Sequence, residues 1–158
     1  MLLQMHQTGA ALSQNTSSHS IFCIQPTLFH GDSFLTDCYT CTQIDVLEHS
    51  IYDKADFALR FSSYSLSPVF CFNDLIYLQY RFPEVTEIGL FQYQNQLFLR
   101  RFSSKIDAQG GIYLKPVQFE HCKPQRYDSH ELKCLGTVLA SQHDSPQTSK
   151  AYTAGINT

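Results

Sequence analysis

Apolar and polar positions alternate along this chain in short runs, with turn-forming residues between the runs. That period of two predicts strands. "ADFALRF" (55–61) alternates and stops at a serine-rich stretch, "FSSYSLSPVF" (61–70). "DLIYLQY" (74–80) is apolar, aromatic and β-branched, a composition that packs well on a pleated surface. "EIGLFQY" (87–93) and "QLFLRRF" (96–102) flank Gln94 and Asn95. This spacing predicts a hairpin, although its turn lacks the glycine that favours the tightest forms. "GGIYLKPV" (110–117) opens on a glycine pair and is closed by Pro116. "ELKCLGTVLA" (131–140) is the last strand expected, and "SIFCI" (20–24) and "TQIDVLEH" (42–49) are two earlier ones. No stretch carries the 3.6-residue period of a long amphipathic helix, so helix is expected to amount to a turn near "EHSIYDKA" at most. The pattern predicts a mostly β fold of largely antiparallel sheet with minimal helix.

The ends break the pattern. Residues 1–19 and 141–158 are rich in Ser, Gln and Thr and read as flexible tails around one domain, 20–140. A chain of 158 residues, 43% hydrophobic and carrying twelve Phe and nine Tyr, is long and apolar enough for one core. The formal net charge of −3 and the lack of a basic stripe argue against direct nucleic-acid binding. No apolar stretch is long enough to span a bilayer, and "MLLQMHQTGAALSQ" lacks the basic n-region of a signal peptide. The expectation is a cytoplasmic protein with no membrane partner. Its six cysteines (Cys23, Cys38, Cys41, Cys71, Cys122 and Cys134) then read as reduced thiols rather than a disulfide framework.

Candidate chemistry is sparse. Taken alone, the serine-rich stretch is a turn in which hydroxyls bond nearby backbone and Pro68 fixes a backbone angle. Cys38-Tyr-Thr-Cys41 has metal-like spacing, and His121 with Cys122 would complete four ligands. Two adjacent residues suit one tetrahedral site poorly, so these cysteines read as incidental. A redox role for the Cys-x-x-Cys would need a βαβ context that the pattern lacks. The seven histidines are scattered, with no helical metal-binding spacing. The aromatic residues alternate along strands with little basic charge between them, which is a core pattern rather than a base-stacking platform. No metal or cofactor is expected.

The order of the elements adds a further reading. "DFALRFSSYSLSPVF", "NDLIYLQY", "EIGLFQYQNQLFLRRF", "GIYLKPV" and "LKCLGTVLA" follow one another in a succession that resembles the S24 peptidase family. This is the self-cleaving domain of LexA-like and phage CI-like repressors, also found in UmuD. The family reads like "ALRVSGDSMEPTF", "GDIVYV", "GEIGVF", a strand carrying a lysine, and "LGVVV". The resemblance covers about residues 20–140, with 20–41 similar to the family's cleavage-loop region and 42–140 to its catalytic core. It implies a LexA/signal-peptidase-like fold.

It also implies roles. Ser65 falls on the nucleophile, Leu66 on a usual Met and Pro68 on the family's Pro. The family's base is a desolvated lysine that takes the serine proton. Arg100 stands at that position, and Arg101 follows it. A guanidinium, with a pKa above about 12, stays protonated and cannot be that base. Lys105 and Lys115 are the nearest lysines for a displaced one. The cleavage region matches "QPTLFHGDSF", which makes His30–Gly31 the candidate bond and puts a bulky ring where the family has a small side chain. Ser63 and Tyr64 replace a Gly-Asp pair, and Asn73, a residue that tolerates positive φ, replaces a Gly. The resemblance therefore implies a domain that has kept the fold and lost the protease. Its expected role is regulatory, as a homodimer or as a heterodimer with a related repressor, paired through the C-terminal strands around "ELKCLGTVLA" and linked to transcriptional repression or a stress or prophage response. A helix-turn-helix does not fit in residues 1–19. Two alternatives stand beside it: an active serine autopeptidase with a displaced base, cleaving near His30–Gly31, and a small-β interaction domain unrelated to peptidases.

Overall fold

The computed structural model describes residues 17–104, 107–119 and 121–143. Both expected tails lie outside these residues for most of their length. Ten strands are formed among the described residues: β1 (Ser18–Pro26), β2 (Ser33–Leu35), β3 (Tyr39–Leu47), β4 (Phe57–Phe61), β5 (Asp74–Gln79), β6 (Ile88–Tyr93), β7 (Gln96–Ser104), β8 (Gly111–Lys115), β9 (Gln125–Asp128) and β10 (Leu132–Gln142). No described residue is helical. The segment "EHSIYDKA" makes successive turns, held by bonds such as Asp53 N–H to the Ser50 carbonyl at 3.1 Å. The described residues are all-β.

The strands join in one sheet in the order β3-β1-β4-β5-β10-β6-β7-β8-β9, with β2 attached to β7. Pairing is antiparallel except between β1 and β4, which run parallel from Phe22↔Phe57 to Ile24↔Leu59. β10 pairs with β6 over residues 132–137 and with β5 over residues 137–142, so it joins two arms of the sheet.

Alternation then sorts the side chains onto two faces. Phe57, Leu59 and Phe61 of β4 pack with Ile76 and Leu78 of β5, Leu90 of β6 and Leu97 and Leu99 of β7. This central cluster lies between the two arms and also takes Phe34, Leu66, Phe70 and Val117. The opposite face of β4 and β5 gives Ala58, Leu75 and Tyr77 to a second cluster with Ile21, Cys23 and Val46. The opposite face of β6 and β7 gives Phe91, Phe98 and Phe102 to a third, with Ile112, Leu114, Tyr127 and Leu132. β4, β5 and β7 are thus apolar on both faces because both faces are covered.

Each strand expected from the pattern forms, with ends shifted by a few residues. The 93–96 turn is a two-residue hairpin, with Tyr93 opposite Gln96. Gln94 takes φ +56° in the place where glycine would be unstrained. The pattern does not predict β2 or β9. β2 is three residues long, and β9, "QRYD", has Tyr127 as its one buried side chain.

Candidate functional site

The serine stretch forms the link from β4 to β5, and its apolar residues hold it down. Leu66 and Phe70 insert into the central cluster beside Phe61. Phe70 N–H donates to the Leu66 carbonyl at 3.1 Å, Ser67 N–H to the Tyr64 carbonyl at 3.3 Å, and Ser67–Pro68 is a cis peptide. Tyr64 stacks on Phe72 with ring centroids 4.5 Å apart. At the far end Asn73 has φ +72° and its N–H reaches the Phe61 carbonyl at 2.6 Å, while Arg60 caps the Asn73 carbonyl at 3.0 Å. A loop anchored at both ends in this way holds the intervening serines at the surface.

Ser65 is exposed. Its Oγ lies 3.0 Å from Ser63 Oγ, and its N–H donates to the same oxygen at 3.2 Å. Ser63 Oγ also sits 3.0 Å from the Gly31 carbonyl. A hydroxyl has one proton to give. With the Ser63 proton on the Gly31 carbonyl, the Ser65 proton points to Ser63 Oγ, so the group facing the would-be nucleophile is another hydroxyl rather than an amine.

The serine loop and the candidate cleavage segment therefore meet. His30 and Ser33 form a β-bridge closed by His30 N–H to the Ser33 carbonyl at 2.7 Å and Ser33 N–H to the His30 carbonyl at 3.1 Å. Ser33 Oγ adds a third bond, to the His30 carbonyl at 3.0 Å. Gly31 takes φ +66° at the tip, a left-handed conformation natural to glycine. Phe29 and Phe34 on either side pack edge-on, and Phe29 packs edge-on against Phe61. The carbonyl bonded by Ser63 belongs to Gly31, one peptide beyond the His30–Gly31 bond. The His30 carbonyl is occupied by Ser33.

Arg100 approaches the same turn from β7. Its Nε donates to Asp32 Oδ2 at 2.7 Å, its Nη2 reaches Asp32 Oδ1 at 3.5 Å and its Nη1 reaches the Tyr127 hydroxyl at 3.1 Å. The guanidinium also lies over the Phe98 ring, 4.6 Å from its centroid. Burial pulls its pKa down, but the Asp32 carboxylate and the Tyr127 hydroxyl outweigh this and leave it raised. Parity explains the placement. Phe98 and Phe102, on the same face of β7 as Arg100, belong to the third cluster, whereas Leu97 and Leu99 face the central cluster in which the serine loop is anchored. Arg100 thus clamps the 30–33 turn to β7 and is not bonded to Ser65.

The following residue has the other parity. Arg101 donates to the Thr86 carbonyl at 2.8 Å and the Val117 carbonyl at 3.1 Å, and its Nε is buried without a partner. Lys115 is its cross-strand neighbour on β8. Lys105 lies outside the described residues.

The Cys38/Cys41/His121/Cys122 alternative gathers no site among the described residues: Cys41 and Cys122 are exposed, and Cys38 Sγ contacts the Asp37 carboxylate at 3.6 Å. A different group does come together, Cys71, Asp74 and His143, with ligating atoms all within 4.8 Å of one another. Sequence reasoning misses it because His143 is 69 residues from Asp74, with which it pairs at 2.8 Å. The one local signal is Cys71-x-x-Asp74 at the end of the serine loop. The described residues contain no helix long and apolar enough to cross a membrane. A scan against protein-family models finds no match for this chain, and a search of curated proteins finds none.

Proposed function

We propose that this chain is an S24-like β domain that has lost Ser–Lys self-cleavage and acts as a regulatory or dimerisation module linked to transcriptional repression or a stress or prophage response. The observation that carries the reading is the fate of Arg100. It stands where the resemblance puts the catalytic lysine, it cannot accept a proton, and it is committed to Asp32 and Tyr127. Ser65, in the nucleophile's place, has a hydroxyl as its neighbour. A serine without a base within hydrogen-bond reach is a weak nucleophile. The chain pairs with a second copy or with a related repressor, which supplies any DNA contact.

The second reading, an active autopeptidase, is favoured by one observation: Ser63, bonded to Ser65, is also bonded to the Gly31 carbonyl in the turn that holds His30. Incubating the full chain at alkaline pH separates the two. The degenerate reading expects an intact chain over days, and because residue 100 lies on the face of β7 away from the serine loop, it expects the chain to stay intact in Arg100→Lys combined with His30→Ala as well. Self-cleavage of the unaltered chain that disappears in Ser65→Ala would establish the autopeptidase instead.

A further inference from the structure

Cys71 ends the serine loop, Asp74 opens β5 and His143 directly follows β10. Two residues three positions apart and a third 69 positions further on thus bring a thiol, a carboxyl and an imidazole together. The Asp74 side chain is only 5% exposed and the His143 side chain 57%. Asp74 Oδ2 accepts Cys71 N–H at 2.8 Å, and Oδ1 lies 2.8 Å from His143 Nδ1. A buried carboxylate is costly unless it is hydrogen-bonded, paired or metal-bound.

The geometry points to a site for one divalent transition-metal ion of the zinc class, ligated by Cys71, Asp74 and His143. Thiolate, imidazole and carboxylate are the zinc ligand types, at about 2.3, 2.0–2.1 and 2.0–2.2 Å respectively. Ligands of a tetrahedral ion with such bonds lie about 3.3–3.6 Å apart, so atoms within 4.8 Å of one another reach them by adjustments of about 1 Å. This mixed set also disfavours the hard cations that take oxygen alone. Three protein ligands leave the fourth position of a tetrahedral ion to water. The three residues belong to β5, to the end of β10 and to the loop carrying Ser65, so the ion would fasten that loop to the two strands. This inference stands apart from the peptidase resemblance, which implies no metal.

The test uses the full chain, stripped of metal with a chelator under reducing conditions and titrated with Co2+. One equivalent is expected to bind with a thiolate-to-cobalt charge-transfer band, and Zn2+ is expected to abolish the band by displacement. The band should persist in a Cys38→Ser/Cys41→Ser double variant and vanish in Cys71→Ser. His143→Gln, altered at an exposed side chain, should keep the circular dichroism of the parent and weaken Zn2+ binding by about tenfold or more. Absence of a thiolate band at stoichiometric Co2+, its survival in Cys71→Ser, or unchanged affinity in folded His143→Gln each overturns the site.

Discussion

Asp107 is a carboxylate ringed by donors. Its carboxylate accepts from Arg126 Nε at 2.9 Å, from the Tyr113 hydroxyl at 2.8 Å and from the N–H groups of Gly111 and Gln109 at 2.7 and 3.0 Å. The Arg126 bond, followed by those of Tyr113 and Gly111, holds its pKa far below the usual carboxylate range. A folded-state pKa below the unfolded one stabilises above the unfolded value, about pH 4, and that contribution is lost as pH falls through the folded value. Unfolding followed below about pH 4 should therefore show a steeper loss of stability for the parent than for Asp107→Asn. Equal slopes would remove this account. None of this was legible beforehand, because the partners come from β8, β9 and a loop. By contrast, arginine at position 100 and the serine at 65 could be read directly. The face of β7 on which Arg100 lies could not, since parity acquires meaning only once Leu97 and Leu99 are known to face the central cluster.

Among the elements, β10 is the most constrained. Its register shifts opposite β6 between Cys134 and Gly136, and opposite β5 between Val138 and Ala140. At the first shift a Cβ on Gly136 would lie 2.7 Å from the Gln79 carbonyl oxygen and 2.9 Å from the Phe57 ring. The carbonyl is backbone and cannot swing aside. Gly136→Ala is expected to destabilise by about 1–3 kcal/mol in urea denaturation, more than the entropy gain of about 0.4–1 kcal/mol that alanine brings. A neutral effect would mean that the bulge absorbs the methyl group. The longer strands were legible because they carry enough alternating apolar residues to declare themselves. β2 and β9 were not: a three-residue strand and a polar one owe their conformation to β7 and β8, and a neighbour's edge leaves no mark in the local sequence.

For the whole molecule, the proposed pairing of two copies falls on β10. β6 covers residues 132–137 along one edge and β5 covers 137–142 along the other, so the edge of 138–142 away from β5 is the place for a partner strand. Light scattering of the purified chain should report a dimer at micromolar concentration. A monomer there, together with no effect of a proline at Ala140, would remove the pairing. Ser18, His19, Ser141 and Gln142, read from their polar surroundings as tail, lie in β1 and β10, because a strand's end can be held by its neighbour's backbone whatever its own side chains are. The single continuous sheet was not legible either, because it depends on where β10 inserts.

That insertion bears on how the protein is made. Among the described strands, the one that joins the two arms is the last to leave the ribosome. Until residue 132 and those after it emerge, β5 and β6 each present an unpaired edge, and their shared apolar face has no backbone bridge across it. Synthesis arrested at residue 131 should yield two sticky half-sheets rather than a smaller stable fold, and such a truncated chain is expected to be recovered in the insoluble fraction. A soluble, cooperatively unfolding 1–131 fragment would show that the arms close without their bridge.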